Sequence, residues 1–242
     1  MAKTSLGKYL DVPTREIVWH VSQERVVYRE AERFMRARAM QIADGTAREL
    51  IWLLEHPALY TAGTSADSKD LLAKDKFPVF KTGRGGEFTY HGPGQRVVYV
   101  MLNLRARGGA DVRAFVDALQ GWIIGTLCAF DLSGEVRPDR VGVWVYENAG
   151  HQSRDLKIAA VGIRLMRWVS LHGFSLNVNV DLSHYDGIVP CGIREHGVTS
   201  LAAQGIDVSM EIVDQALRAS FYDTFGVSTT LATSKDEVRA FA

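Results

Sequence analysis

The hydrophobic and polar positions of this 242-residue sequence repeat in two ways, one with the period of a helix and one typical of strands. Helical spacing, or a capping-box pattern in the last case, predicts helices over residues 22–43, 111–130, 209–225 and 234–237. The third of these helices is preceded by Ser209, a good N-cap, and followed by Gly226, a residue that suits a helix C-terminus.

Short runs rich in β-branched and aromatic residues predict strands between these helices. Residues 49–54 are apolar without polar alternation, which is typical of a strand buried on both faces. Further strands are expected at residues 79–82, 97–104, 141–146, 157–163 and 168–178. The polar residues 147–156 are expected to form a surface loop. Because helices and strands do not alternate regularly, the pattern favours an α+β fold with a mixed or antiparallel sheet flanked by helices.

Composition and charge mainly exclude certain kinds of partner and site. Lys and Arg number 28, as do Asp and Glu, so no net charge draws the chain toward nucleic acid or an anionic membrane. Neither a signal-peptide core nor a run of about 18 apolar residues is present. The cysteine and histidine spacings match no metal motif. We therefore expect a cytoplasmic protein with no metal, no nucleic-acid partner and no membrane partner.

A glycine-rich loop between two predicted strands is the densest unusual segment. Residues 84–95 contain four glycines together with Arg84 and His91. A hairpin turn needs only two residues and has no use for an arginine and a histidine, whereas glycines let a ligand approach the backbone. No Gly-Lys-Ser/Thr follows, which excludes a P-loop. We therefore expect this loop to bind a substrate.

The two cysteines have different surroundings. Cys128 lies within the second predicted helix and is expected to be a small buried hydrophobic residue. Cys191 lies in an irregular segment and is either a nucleophile or a half-buried loop cysteine without a role. A nucleophilic cysteine needs a partner that takes its proton. The candidates are His91, His172, His184, His196 and Lys157, and the lysine taken alone is more typical of a solvated strand edge.

Four motifs occur in an order that resembles the lipoyl(octanoyl) transferase family. They are Arg84-Gly85-Gly86 with Thr89-Tyr90-His91, Gly94-Gln95 and Tyr99; Lys157-Ile-Ala with Gly162; His172-Gly173-Phe-Ser175-Leu-Asn177; and Pro190-Cys191-Gly192 with Gly197-Val-Thr-Ser200. Together with an early segment at residues 56–63, the matched blocks span residues 49–201. The resemblance implies a single domain over residues 1–242, similar to biotin and lipoate protein ligases.

The resemblance also implies an activity and a set of site residues. Members of this family transfer an octanoyl or lipoyl group from an acyl carrier protein to a specific lysine of a lipoyl domain, in lipoate biosynthesis and without a cofactor. Cys191 would carry the acyl thioester, with Lys157 as its catalytic partner. The implied acyl site consists of Arg84, Gly85, Gly86, Glu87, Phe88, Thr89, Tyr90, His91, Ala160, Val161, Gly162, Gly173, Phe174 and Ser175. Ala160 departs from the family pattern, because many relatives carry Ser there.

Three other functions are compatible with parts of the sequence. An ATP-dependent lipoate or biotin ligase on the same scaffold would not need Cys191. A non-catalytic acyl-binding or partner-binding domain would keep the pocket, although it would be expected to lose Cys191 or Lys157. A cysteine thioesterase would pass the acyl group to water. Acidic carriers would need a basic docking face, for which the candidates are Arg25, Arg29, Arg33, Arg36, Arg38, Arg164, Arg167 and Arg194.

Overall fold

The computed structural model of the chain describes residues 17–107, 111–149, 152–189 and 197–233. These ranges contain three α-helices and twelve strands. The helices are α1 (Tyr28–Ala43), α2 (Val112–Cys128) and α3 (Met210–Phe225). The strands are β1 (Ile17–Val21), β2 (Glu49–Leu54), β3 (Leu59–Ala62), β4 (Val79–Lys81), β5 (Phe88–His91), β6 (Gln95–Met101), β7 (Glu135–Arg137), β8 (Arg140–Ala149), β9 (Gln152–Met166), β10 (Val169–Asn177), β11 (Gly197–Val198) and β12 (Thr229–Leu231).

A nine-stranded mixed sheet forms the centre of the described part. Its strands lie in the order β12-β1-β2-β6-β10-β9-β8-β7, and β11 pairs with β9. β1 runs parallel to β12 and β2, whereas β2, β6, β10, β9 and β8 pair successively in antiparallel fashion. β4, β3 and β5 form a second, three-stranded sheet. The predicted α+β fold with a mixed sheet is confirmed.

Both faces of the large sheet are covered, which explains the unbroken apolar run of β2. Ile51 and Leu53 pack into the cluster under α2 and α3, while Trp52 and its alternate neighbours pack under α1. In the first cluster the rings of Trp122 and Phe221 lie 5.0 Å apart. The predicted helix at residues 209–225 is confirmed, with the Ser209 side chain accepting the first-turn cap hydrogen bond and Gly226 at φ 65°.

The structure corrects two boundaries predicted from the pattern. The helix expected from residue 22 begins at Tyr28, because residues 22–27 run alongside β2, and the Ser22 and Val26 amides donate to carbonyls there. Of the loop expected at residues 147–156, the described residues 147–149 and 152–156 instead pair as parts of β8 and β9. The polar composition of this segment comes from charge pairs between strands, such as Glu147 with Arg154 at 2.7 Å.

Cys128 is exposed at the end of α2, so the expectation that it is buried is wrong. Its neighbour Leu127 is fully buried in the core, so Cys128 lies on the solvent-facing side of the last turn of α2. The short helix expected at residues 234–237 lies outside the described residues. Among the helices of the described ranges, none is long and apolar enough to span a membrane.

Candidate active site

A cleft opens on the α1 side of the large sheet, over β6, β9 and β10, and the segment from Arg84 to His91 forms one of its walls. Including its open mouth, it contains about 570 Å³ of empty space. Its lining includes the sequence-predicted residues Arg84, Gly85, Gly86, Glu87, Phe88, Thr89, His91, Lys157, Ala160, Val161, Gly162, Gly173, Phe174 and Ser175. The structure therefore brings most of the predicted acyl site into one cavity.

Further residues line the cleft that the sequence did not assign to the acyl site: Tyr28, Val97, Tyr99, Val141 and His172. Tyr99 and His172 lie within the family motifs, so a signal for them existed. Tyr28 and Val141 join the cleft through the packing of α1 and the pairing of β8 with β9. No local pattern in the sequence marks such positions.

Small residues keep the floor of the cleft open. Gly162 of β9 is paired with Gly173 of β10. A β carbon at Gly162 would lie 3.1 Å from the carbonyl oxygen of Gly85, and one at Gly173 would lie 2.3 Å from that of Val98. A side chain at Gly162 would therefore project against the Gly85 wall, and glycine there keeps this part of the cleft open, whereas Gly173 lets β10 pack closely against β6.

Lys157 points into the cleft because β9 carries a bulge. In a regular strand Lys157 would share a face with Ala159. Two neighbouring residues of β8 pair instead with Ala159 and Lys157, so that in this register Ile158 has no partner on β8. Ile158 and Ala159 both pack into the core under α2 and α3, and Lys157 and Ala160 both line the cleft. The extra residue therefore re-aims the lysine.

The Lys157 amine is buried and held in place by β8. Its Nζ donates to the carbonyl oxygen of Val141 at 3.1 Å and lies 4.6 Å from the centre of the Trp144 ring. The residue is only 5% exposed. Across the cleft, burial and Asp70 raise the pKa of the Glu87 carboxyl, while the charge of Lys157 lowers it. The lysine thus lies at a polar end of the cleft.

Arg84 braces the glycine-rich wall. Its Nη2 donates to the Thr61 carbonyl oxygen at 2.9 Å, to the Thr61 hydroxyl at 2.7 Å and to the Glu87 carbonyl oxygen at 2.9 Å. Its Nη1 donates to the Gly85 carbonyl oxygen at 3.0 Å. With 8% of the residue exposed, the guanidinium positions the loop against β3 rather than offering a free charge to a ligand.

Two buried histidines, His91 and His172, line the cleft, and a third, His56, packs behind them with its ring 5.9 Å from that of His91. Burial lowers the pKa of His56 to about 4 and the pKa values of His91 and His172 to about 3, so all three rings are neutral at neutral pH. His56 donates from Nδ1 to a main-chain carbonyl at 2.6 Å, and its Nε2 accepts from the Tyr99 hydroxyl at 2.7 Å. His91 donates from Nδ1 to the Gln95 side-chain oxygen at 2.7 Å. These bonds fix the tautomers of two of the rings.

Some predicted site residues do not line this cleft. Tyr90 faces the opposite side of β5, where its ring lies 5.4 Å from that of Tyr185 and its hydroxyl is 2.8 Å from Nδ1 of His184. His184, one of the candidate partners for the cysteine, therefore packs with Tyr90 on the side of β5 that faces away from the cleft. Cys191 and His196 lie outside the described residues.

The candidate docking arginines do not form one surface. Arg38 is buried and donates to a main-chain carbonyl, and Arg167 pairs with Asp44 at 2.7 Å. Arg194 lies outside the described residues. The exposed members of the set are Arg25, Arg29, Arg33, Arg36, Arg164 and Arg167.

Most of the chain matches a known protein family. Residues 28–222 match the lipoyl protein ligase A/B catalytic domain. The chain belongs to this family. It is 62% identical over 208 residues to an octanoyltransferase of Caulobacter vibrioides, covering 86% of this chain and 92% of that protein. It is 59% identical over 208 residues to an octanoyltransferase of Parvibaculum lavamentivorans, with the same two coverages of 86% and 92%.

A solved structure shares the fold at much lower sequence identity. A chain from an archaeal lipoylation system of Thermoplasma acidophilum, a bipartite lipoate protein ligase and its E2 lipoyl domain, superimposes with a TM-score of 0.64. The identity is 17%, with coverage of 92% of this chain and 89% of that one. The predicted ligase-like fold and the predicted octanoyltransferase class are thereby confirmed.

Proposed function

We propose that this chain moves octanoyl from an acyl carrier protein to a specific lysine of lipoyl domains, through a thioester on Cys191, in lipoate biosynthesis. The observation that carries the proposal is the buried Lys157 amine, which a strand bulge turns into a narrow, glycine-floored cleft. Relatives about 60% identical to the chain are octanoyltransferases. The proposal includes a cytoplasmic location, a single domain over residues 1–242, and no cofactor.

The described residues on either side of Cys191 support a place for the thiol near Lys157. On one side, β11 pairs with β9 directly at Lys157. On the other side, the Val189 amide donates to the Asp70 carbonyl oxygen at 2.8 Å. The charge of Asp70 raises the pKa of the Glu87 carboxyl and the charge of Lys157 lowers it, so both residues act on the same carboxyl group. The two described ends of the segment that contains Cys191 therefore lie close to groups that act on Glu87.

The first step of the proposed reaction exchanges one thioester for another. The Cys191 thiolate attacks the carbonyl carbon of the octanoyl carrier, the bond to the carrier sulfur breaks, and that sulfur leaves with the proton of Lys157, whose amine is then neutral. No ATP is needed, because the energy of the thioester is conserved. The positive charge of a protonated Lys157 would favour the thiolate over the thiol.

The second step converts the thioester to an amide and must overcome a protonation problem. A free lysine has a pKa of about 10.4, so at pH 7 less than about 0.1% of an acceptor lysine is the nucleophilic amine. A neutral Lys157 would take the proton from the acceptor amine as this attacks the acyl carbon. The bond to the Cys191 sulfur breaks, and the thiolate is regenerated for the next cycle.

The cleft supplies the binding energy for the acyl chain. An octanoyl group carries about six methylenes, worth about 5 kcal/mol in total at about 0.8 kcal/mol each when buried. Val97 and Tyr99, which share one face of β6, contribute apolar surface to the cleft. The exposed arginines of α1 would face acidic carrier proteins, since α1 begins at the cleft residue Tyr28.

The test is to incubate the chain with octanoyl carrier protein without ATP and to record intact masses. We expect an octanoyl adduct on Cys191 that disappears when a lipoyl domain is added. Cys191→Ser and Lys157→Ala should each abolish transfer while leaving the melting temperature near that of the wild type. Exposed Cys128→Ser is the matched control and should retain full activity.

Other outcomes favour the alternatives. Product formation that strictly requires ATP would identify a ligase, and free octanoate as the main product would identify a thioesterase. Wild-type turnover in either dyad variant would contradict the proposed mechanism.

A further inference from the structure

The side chain of Trp144 stands directly opposite Lys157 in the pairing of β8 with β9. Directly opposed residues of an antiparallel pair have neighbouring side chains on one face of the sheet. Trp144 is only 2% exposed. The other fully buried tryptophans of the described ranges, Trp19, Trp52 and Trp122, belong to the apolar clusters on the two faces of the sheet, whereas Trp144 belongs to neither cluster. Packing of the apolar core therefore does not account for this tryptophan.

Two cationic groups lie over the indole ring of Trp144 instead. Nζ of Lys157 is 4.6 Å from the ring centre, and Cζ of Arg140 is 4.8 Å from it. A cation within about 6 Å of the centre of a tryptophan ring is attracted by the negative face of the ring, most strongly where water is excluded. Since Lys157 is only 5% exposed, this attraction replaces part of the hydration that an ammonium group would have in water.

Asp155 balances the charge of Arg140. Its carboxylate accepts a hydrogen bond from Arg140 at 2.5 Å and two from Arg137 at 2.7 and 2.8 Å. The hydrogen bonds from Arg137 and Arg140 lower the pKa of Asp155 to about 2, so the carboxylate is ionised at neutral pH. This ion pair holds a guanidinium against the indole and orients the ring. Lys157 is then the cation over the ring whose charge changes during the proposed reaction.

Building on the proposed octanoyl transfer, we infer that Trp144 is a positioning residue that holds and stabilises the ammonium form of Lys157 through the face of its indole. In the second step Lys157 takes a proton from the neutral acceptor amine, the acceptor nitrogen bonds to the acyl carbon, and the bond to the Cys191 sulfur breaks. A positive charge thus develops on Nζ in the transition state, beside the ring and the Val141 carbonyl oxygen. Groups already aimed at a charge that develops in a buried site lower the barrier.

The experiment places tryptophan analogues with one to four ring fluorines at position 144 of the full chain. It measures single-turnover transfer from the octanoylated enzyme to a lipoyl domain. Fluorine withdraws electrons from the ring and weakens its attraction for a cation, while the shape of the side chain hardly changes. We expect the rate to fall with each added fluorine, to about one tenth of the wild-type rate for the tetrafluorinated ring. A purely structural role would leave the rate unchanged, because the packing is preserved.

Two substitutions extend the series. Trp144→Phe keeps an aromatic face and should retain most of the rate, whereas Trp144→Leu should transfer about tenfold more slowly. If Trp144→Leu does not fold, the fluorinated series decides. The same analogues at position 122 are the matched control, because Trp122 is also fully buried but packs 5.0 Å from the ring of Phe221 in the apolar core. They should leave the rate unchanged.

A rate that does not depend on fluorination at position 144 would overturn the inference, as would an equal fall at position 122. The octanoyl adduct on Cys191 is scored first, in the wild type, by intact mass. Its absence would contradict the proposed transfer itself. An adduct that every fluorinated enzyme passes on at the wild-type rate would refute only the role of Trp144.

Discussion

Gly142 offers a direct test of how the position of the Lys157 amine governs transfer. Its φ of 130° is a conformation that side chains with a β carbon rarely adopt. A β carbon there would lie 2.7 Å from the Ala159 carbonyl oxygen, 3.1 Å from Cε of Lys157 and 3.4 Å from its Nζ. Gly142→Ala should therefore push the lysine side chain away from the Val141 carbonyl that holds it.

The structure sets the size of the expected effects. A misplacement of about 1 Å costs a reaction about 100-fold in rate, so we expect the second step to slow by about 10- to 100-fold. The strained backbone should reduce the free energy of unfolding by about 1–3 kcal/mol. For a chain of this size each kcal/mol shifts the melting temperature by about 2–4 °C, which gives a total decrease of about 2–12 °C.

The assay is a single-turnover transfer from the octanoylated enzyme to a lipoyl domain, followed by intact mass at a temperature where the variant is folded. Gly45→Ala is the control, because Gly45 also has a positive φ, 74°, but a β carbon there meets no described atom within 4 Å. It should lose stability without losing rate. A Gly142→Ala enzyme that melts earlier yet transfers at the wild-type rate would refute the link between amine position and catalysis.

Two further predictions concern the histidines and the floor of the cleft. The folded pKa values of His56, His91 and His172, about 4, 3 and 3, lie below the unfolded value of about 6.5, so the unfolded chain binds more protons between these limits. The free energy of unfolding, measured by urea titration, should rise from pH 4 to pH 6.5, and a flat profile would contradict the neutral rings. Gly162→Val should lower Cys191 acylation by octanoyl more than tenfold and by acetyl much less, because the side chain would fill the groove beside Gly85. Gly121→Ala on α2, where a β carbon meets no described atom within 4 Å, should change neither reaction, and equal losses for both donors in Gly162→Val would count against an acyl groove.

The periodicity of the sequence was sufficient for much of the fold. The apolar run of β2 and the capped helix α3 were predicted because burial and capping depend on residues that are adjacent in the chain. The start of α1 was misplaced because Val27 continues the apolar spacing of the helix, yet Ser22 and Val26 donate to the carbonyl oxygens of Leu53 and Glu55 at the end of β2. That pairing depends on a strand more than twenty residues away.

The candidate site shows the same limit. Motif residues such as Gly162 and Ser175 were assigned to the acyl site and line the cleft. Tyr90 was assigned with its neighbours, yet it faces away because adjacent strand residues point to opposite sides. The left-handed backbone of His172 and the bulge beside Lys157 depend on pairing with other strands, and no local signal in the sequence announces them.

The bulge at Ile158 also has a consequence for transplanting this chemistry. The side on which the amine appears is encoded by the number of residues in β9, not by the identity of the neighbours of the lysine. If Lys157-Ile-Ala were copied onto a regular strand without the bulge, the ammonium group would point into the hydrophobic core. The motif sequence would be unchanged. Deletion of one residue in this part of β9 would turn Lys157 to the opposite face of the sheet. Activity would be lost although the lysine itself would still be present.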